Sequence, residues 1–156
     1  MSFDPALFGE SENQGQITFD YQIEDFQVSS SDRIQHWIQT IIDQANCQLF
    51  SLNFIFCTDP FLHQINVEYL NHDTLTDIIT FPFQEPPAIE GEIYISLDRI
   101  RENAAAFKVP FEEELHRVII HGVLHLCGQG DKTDLEQAQM RQREDQALQV
   151  LMKLSF

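Results

Sequence analysis

Two histidines stand four residues apart in an otherwise apolar stretch of this chain. Residues 118–131 read VIIHGVLHLCGQGD, in which His121 and His125 are the only basic groups. On a helix, side chains four residues apart lie on one face at a spacing of about 6 Å. The spacing predicts that both imidazoles serve one purpose, most simply as ligands of a metal ion. The alternative is a pair of core histidines that bond to backbone carbonyls, because a buried polar group needs a partner.

The residues after the second histidine supply a third ligand. The Gly-Gln-Gly sequence at 128–130 can end a helix in a left-handed turn and fold the chain back, which would bring Asp131 beside the histidines. Two imidazoles and one carboxylate form an open tripod typical of a catalytic zinc site. We therefore predict that His121, His125 and Asp131 bind one Zn²⁺ ion. Because a carboxylate ligand also suits harder ions, Mn²⁺ or another divalent ion is an alternative.

Neighbouring residues are weaker candidates for the metal or exclude other chemistry. Cys127 lies about 200° around the helix from His125 and points away from it. Asp134 falls within a predicted capping box, where it would satisfy the amides of the next helix. Gly122 occupies the position at which HExxH peptidases carry their general base, so ordinary metalloprotease chemistry is excluded. This glycine leaves room for a bulky substrate or for another strand.

Charge limits the partners that this chain can bind. Nine basic and 25 acidic residues among 156 give a net charge of -16, which repels a phosphate backbone at long range and excludes a protein that coats nucleic acid. Four of the basic residues nevertheless fall within 117–143, around the histidine motif: Arg117, Lys132, Arg141 and Arg143. They predict either a local basic patch, with Arg117 and Lys132 supporting catalysis, or a solvated face.

Composition also bears on compartment and size. Three cysteines form no CxxC pair, which favours reduced thiols in a cytoplasmic protein over a disulfide framework. The first residues carry neither a basic segment nor a long apolar run, so we expect neither a secretory nor a membrane protein. The length predicts a single domain over 1–156, in which residues 1 to about 15 form a mobile end.

Periodicity places the motif within an α+β domain. Strands are predicted around Ile17, Phe19 and Tyr21 and over 49–57, 76–83 and 91–96, because apolar residues there alternate or are β-branched. Helices are predicted over 32–46, 60–70, 96–108, 111–127 and 133–154, with an N-cap among the serines at 29–31 and a capping box at Thr133 and Glu136. The order predicts one mixed sheet of about four strands covered by helices, with 111–127 as a zincin-like metal helix.

The histidine motif resembles a known signature. HGVLHLCGQGD is similar to H-G-x-L-H-L-x-G-Y-D-H, the pattern of the YbeY family of rRNA maturation endoribonucleases. Residues 65–82, INVEYLNHDTLTDIITFP, align without gaps with that family's L-N-x-x-Y-R-x-x-D-x-P-T-D-V-L-S-F-P, and EGEIYIS resembles its L-G-D-I-x-I-S. The resemblance spans about residues 62–131. It implies an α+β zinc-binding fold, metal-dependent cleavage of single-stranded RNA, and a role in 16S rRNA processing and ribosome quality control.

Three departures from the family pattern bear on the site. Asp131 replaces the third histidine, Gln129 a tyrosine, and Leu70 an arginine that the family is thought to use for RNA phosphate. The lost arginine and the acidic charge predict weak, salt-sensitive RNA binding. Five polar residues of the upstream pattern are retained and could either serve the site or stabilise a helix–strand connection: Asn66, Tyr69, Asp73, Thr76 and Asp77.

The resemblance, together with the predicted metal site, implies a metal-dependent endoribonuclease. Its expected partners are single-stranded or ribosomal RNA and the small ribosomal subunit or its assembly factors, with no membrane. Either water or the RNA 2′-hydroxyl could attack the phosphate. Two alternatives remain: a non-catalytic ribosome assembly factor stabilised by the metal, and a metal hydrolase of a small substrate. A cleft lined by Arg117, Lys132 and Arg141 would favour RNA, whereas an enclosed pocket would favour a small molecule.

Overall fold

A computed structural model describes residues 15–70 and 76–154 of the chain. Asp73 of the family pattern lies outside these residues, as does the predicted mobile end apart from its last residue.

The elements follow one another in the predicted order. The strands are β1 (Gln16–Tyr21), β2 (Gln48–Cys57), β3 (Ile78–Pro82) and β4 (Ala88–Ser96). The helices are α1 (Ser31–Gln44), α2 (Asp59–Leu70), α3 (Leu97–Phe107), α4 (Phe111–Leu126) and α5 (Asp134–Lys153). The predicted α+β class is therefore confirmed. None of these helices, within the described ranges, combines the length and the apolar character needed to cross a bilayer.

The four strands form one mixed sheet in the order β1-β2-β4-β3. β2 pairs in parallel with β1 and with β4, whereas β3 runs antiparallel to β4. β3 is thus an edge strand. Its last residue, Pro82, stands opposite Gly91, a position that suits a residue without a backbone N–H because proline is tolerated at sheet edges.

The main core lies on one face of the sheet. Alternate β4 residues, such as Ile93 and Ile95, point into it and pack against apolar residues of α1, α4 and α5. Trp37 of α1 is fully buried and donates its indole N–H to the Ala147 carbonyl oxygen on α5 at 2.8 Å. This bond satisfies the one polar atom of the largest core side chain.

The opposite face of the sheet is covered only in part. Over β1 and β2 it is polar, where Thr18 donates to Asn53 and Asn53 donates to Asp20. Over β3 and β4 it is covered by α2, whose Leu62 and Ile65 form a small second cluster with Ile79. The two faces therefore carry different chemistry at the β3 edge.

Helix α4 is buried on nearly all sides, as its sequence predicts. Ile120 and Leu124 are buried together with the main apolar stripe. A Cβ added at Gly122 would lie 2.8 Å from Ile78 Cδ1 and 3.1 Å from Ile93 Cδ1. The space that we expected at Gly122 for a substrate or a strand is therefore taken by β3 and β4, which lets α4 approach the sheet edge closely.

Helices α1, α3 and α5 have a serine or threonine N-cap, and two of these caps form a side-chain hydrogen bond. Ser96 accepts from the Arg99 N–H, and Thr133 with Glu136 forms the predicted capping box of α5. At α1 the N-cap is Ser30, but its side chain makes no capping bond. The reason is its left-handed backbone, with φ 54° and ψ 52°, because a capping hydroxyl reaches the helix amides from the extended region.

Gly122→Ala should test the close approach of α4 to the edge strand. An alanine normally stabilises a helix, but here its Cβ would press on Ile78, so we expect a loss of about 1–3 kcal/mol in the free energy of unfolding, measured with urea. Adding Ile78→Val removes the nearest methyl group and should recover part of that loss. A Gly122→Ala protein as stable as the wild type would show that the contact is not tight.

Candidate active site

A cavity of about 250 Å³ lies where α4 faces the start of β3. Its lining contains all three residues predicted to bind the metal, together with two residues that precede β3 and two residues of β3 itself. The lining residues are Thr76, Asp77, Ile78, Thr80, His121, His125 and Asp131.

Two of the predicted ligands already lie at a suitable spacing. His121 Nε2 is 3.3 Å from Asp131 Oδ2, which is about the separation of neighbouring ligands at 2.0–2.1 Å from a tetrahedral zinc ion. His125 is exposed and lines the same cavity. Across residues 15–70 and 76–154, however, no three His, Cys, Asp or Glu side chains are grouped so as to hold an ion as they stand. The structure thus brings His121 and Asp131 together and places His125 beside them.

The turn after α4 delivers Asp131 to the cavity. Gly128 adopts a φ of 106°, a left-handed conformation that favours glycine, as the sequence predicts. Gln129 donates to the Gly130 carbonyl oxygen at 3.0 Å and accepts from Arg143 Nη1 at 3.1 Å. Gln129, at the position of the family's tyrosine, therefore ties the turn to α5.

A buried carboxylate holds His121 from the other side. Glu144 Oε2 lies 2.7 Å from His121 Nδ1, and Glu144 Oε1 accepts from Arg117 Nη1 at 2.9 Å. Arg117 also donates to Asp145 at 2.7 Å. Since Nδ1 is engaged by Glu144, the Nε2 atom of His121 is the one that faces Asp131 and the cavity. Metal-binding histidines are commonly oriented through such a carboxylate contact.

Glu144 is a site residue that the sequence motifs do not predict, although the sequence carries a signal for it. Met140, Ala147 and Leu151 are the other buried residues of α5, and they share one face of the helix with Glu144. A carboxylate within an apolar stripe must find a partner, because a buried charge is otherwise costly. The partners, on α4, are too distant in sequence to be read from the α5 pattern.

Three carboxylates, those of Glu144, Asp131 and Asp77, lie near His121 and make its surroundings acidic. Burial lowers the pKa of His121. The hydrogen bond and the charge of Glu144, together with the charges of Asp131 and Asp77, outweigh the effect of burial and raise this pKa above its usual value. Burial raises the pKa of Asp77, although the charge of His121 lowers it. Three carboxylates around one imidazole attract positive charge. The electrostatics therefore suit a cation more than an anion at this point.

The predicted basic patch is smaller than the sequence suggested. Arg117 and Arg141 line an adjoining cavity of about 180 Å³, but the Arg117 guanidinium is already paired with Glu144 and Asp145. Lys132 is exposed and is not among the residues that line either cavity. Arg143 holds Gln129 instead. Among residues 15–70 and 76–154, no carboxylate forms a salt bridge with Arg141, which lines the adjoining cavity.

The retained residues of the upstream segment divide between two places. Thr76 and Asp77 line the histidine cavity and also stabilise the connection to β3, because Thr76 donates to the Ile78 carbonyl and Asp77 O accepts from the Ser96 N–H. Asn66 is buried, whereas Tyr69 is exposed beside a second cavity. Thr76 and Asp77 therefore stabilise the helix–strand connection and also line the histidine cavity.

These features define a small α+β protein with a histidine and carboxylate cavity at the edge of a mixed sheet. The Endoribonuclease YbeY family model matches residues 18–152. The chain is 49% identical over 134 residues to Endoribonuclease YbeY of Flavobacterium psychrophilum, covering 86% of this chain and 95% of the relative. It is 53% identical over 127 residues to that of Amoebophilus asiaticus, covering 80% and 86%.

A solved structure shares the fold. The solution structure of TM1509 from Thermotoga maritima matches with a TM-score of 0.62 and 25% identity, covering 87% of this chain and 89% of that one. The chain therefore belongs to the Endoribonuclease YbeY family, as the resemblance of its motifs predicts.

Removing Glu144 should destabilise the protein much more than removing its neighbour. Glu144→Ala leaves Arg117 and His121 without their buried partner, so we expect a loss of about 3–5 kcal/mol in the free energy of unfolding. Asp145→Ala removes a carboxylate that contacts the same arginine but is 53% exposed, and it should cost under about 1 kcal/mol. Denaturant unfolding of both variants makes the comparison. Equal losses would contradict the role assigned to Glu144.

Proposed function

We propose that this protein is a metal-dependent endoribonuclease that cleaves single-stranded RNA in the cytoplasm, with small-subunit rRNA as its substrate and ribosome quality control as its role. Membership of the Endoribonuclease YbeY family supports the RNA substrate class. The observation that carries the metal dependence is the 3.3 Å spacing of His121 Nε2 and Asp131 Oδ2, with Glu144 engaging the other nitrogen of the ring.

The residues fit a divalent ion in donor chemistry. His121 Nε2, His125 and Asp131 Oδ2 would hold it, a nitrogen and oxygen set that suits Zn²⁺ and tolerates Mn²⁺. Because His125 is exposed, we propose that its ring completes the set by rotating its side chain. When bound, the ion would supply positive charge that stabilises negative charge developing on the scissile phosphate.

The remaining residues of the cavity position the reacting groups. Glu144 keeps Nε2 of His121 directed into the cavity. Asp77 lies in the same cavity as the histidines, and we propose that its carboxylate accepts the proton of the attacking hydroxyl, whether that hydroxyl belongs to water or to the ribose. Its donor Asn103, at 3.4 Å from Asp77 Oδ2, helps to fix the carboxylate.

The size of the cavity favours part of a polymer over an entire small substrate. At about 250 Å³ it falls below the range of about 300–1,000 Å³ that small-molecule sites occupy. A phosphodiester with its flanking atoms can enter such a space while the rest of the strand stays outside. Since Arg117 is paired and the net charge is -16, we expect RNA binding to be weak.

Variants of Asp131 should test the proposed ligand set. Asp131→Ala removes one of three ligands and should weaken zinc binding by about 10- to 100-fold or more, whereas Asp131→His should retain or tighten it. The matched control is Asp134→Ala. Asp134 is the first residue of α5, whose cap is formed by Thr133, so zinc affinity should not change. Calorimetric titration with zinc measures all three, and loss of zinc in Asp134→Ala alone would show that the wrong aspartate is assigned.

Cleavage of RNA tests the activity itself. The zinc-loaded protein should cut a single-stranded segment of small-subunit rRNA and spare the same sequence in a duplex. Both His121→Ala and chelation should reduce the rate by about 100-fold or more, and Asp134→Ala should leave it unchanged. RNA that is bound but never cut would favour the non-catalytic assembly factor.

A further inference from the structure

A second cavity, outside the histidine site, lies on the opposite face of the sheet. It has a volume of about 370 Å³ and lies between α2 and the strands β3 and β4. Five aromatic side chains and one carboxylate dominate its lining: Phe61, Tyr69, Phe81, Phe83, Glu92 and Tyr94. Its size falls within the range of small-molecule sites, about 300–1,000 Å³.

Two of the five aromatic side chains in this lining are largely exposed. Tyr69 is 70% exposed and Phe83 is 59% exposed, and they belong to one lining. The Tyr69 and Phe81 rings meet edge to face with centroids 6.3 Å apart, and the Phe81 and Tyr94 rings do so at 5.7 Å. Neither pair is stacked in parallel, and a planar ligand could stack on the exposed surface of Tyr69 and Phe83. A cluster of exposed apolar rings of this kind marks a binding surface.

Glu92 supplies the cavity with a hydrogen-bond acceptor. Among the lining residues that the structure describes, it is the one charged side chain, and Tyr94 donates its hydroxyl to Glu92 Oε1 at 3.4 Å. A carboxylate only accepts hydrogen bonds. Its natural partner is a flat group with two adjacent N–H donors, which the N1–H and N2–H₂ edge of guanine provides and which adenine and uracil lack.

The position of the cavity connects it to the histidine site. Thr80 lines the histidine cavity, and the next residue, Phe81, lines the aromatic cavity. Because side chains alternate along a strand with a rise of about 3.3 Å per residue, the two cavities lie back to back across β3. β3 is an edge strand, so a flexible polymer can pass over it from one face to the other.

From these observations we infer that the aromatic cavity binds an unpaired guanine base of the RNA strand whose phosphate lies in the histidine cavity. The base stacks on the exposed rings, and its N1–H and N2–H₂ donate to Glu92. Single-stranded RNA is commonly bound through bases stacked on aromatic side chains. The inference rests on the proposed function for the identity of the polymer, whereas the aromatic cavity itself does not depend on cleavage.

Titration with nucleosides tests the cavity without any cleavage. The full-length protein is titrated separately with guanosine, adenosine, uridine and choline, and the NMR signals of Tyr69 and Tyr94 are followed. Guanosine should shift them most, and Glu92→Gln should abolish its preference over adenosine. A shift with choline but not with nucleosides would overturn the inference, because the aromatic rings would then bind a cation. The absence of a shift with any nucleoside would also overturn it.

Cleavage kinetics test the link to RNA. With a single-stranded substrate containing guanine, Phe83→Ala should raise KM by about five- to tenfold and leave kcat unchanged, because stacking holds the strand without taking part in the reaction. The control is Phe107→Ala, which removes a phenylalanine of similar exposure, 61%, away from the aromatic cavity. Equal KM values for the two variants would overturn the inference while leaving the nuclease intact. A wild type that responds to guanosine but cuts no RNA would instead contradict the proposed function.

Discussion

The contact between His121 Nδ1 and Glu144, at 2.7 Å, organises the site more than any other interaction. It joins the most buried helix of the fold to the last helix, and it decides which nitrogen of the ring reaches the cavity. A buried carboxylate is tolerable only when it is paired. Arg117 supplies the compensating charge. The arginine nearest to the histidine motif in sequence is therefore paired within the protein and is not available to bind a phosphate.

The same contact depends on the way the sheet edge is built. Gly122 lets α4 lie directly against Ile78 and Ile93, so the histidine face of the helix emerges beside the segment that contains Thr76 and Asp77. The turn at Gly128 then returns Asp131 to that face. Close packing on one side and a short turn on the other leave a cavity that is small and acidic. We propose that this cavity takes a phosphodiester group, with a cation to balance the charge.

Much of this arrangement follows from local sequence patterns. Helix α4 and the turn after it could be predicted because apolar periodicity and a left-handed glycine are determined by residues that are close in sequence. The proximity of Asp131 to His121 follows for the same reason. Glu144 could not be paired in advance, since α5 and α4 meet only after folding. The basic patch was overestimated because sequence proximity does not tell which arginine is paired: Arg117 and Arg143 are both used within the protein.

We propose that Glu144 engages Nδ1 of His121, so that Nε2 can bind a metal ion together with Asp131. NMR of isotope-labelled histidine side chains tests it most directly, because the two ring nitrogens give separate signals. In the zinc-loaded protein, Nδ1 of His121 should carry the proton and Nε2 should show the shift of a bound nitrogen, with one nitrogen of His125 shifted as well. Zinc that leaves both His121 nitrogens unchanged, or that shifts Nδ1 in place of Nε2, would contradict this account.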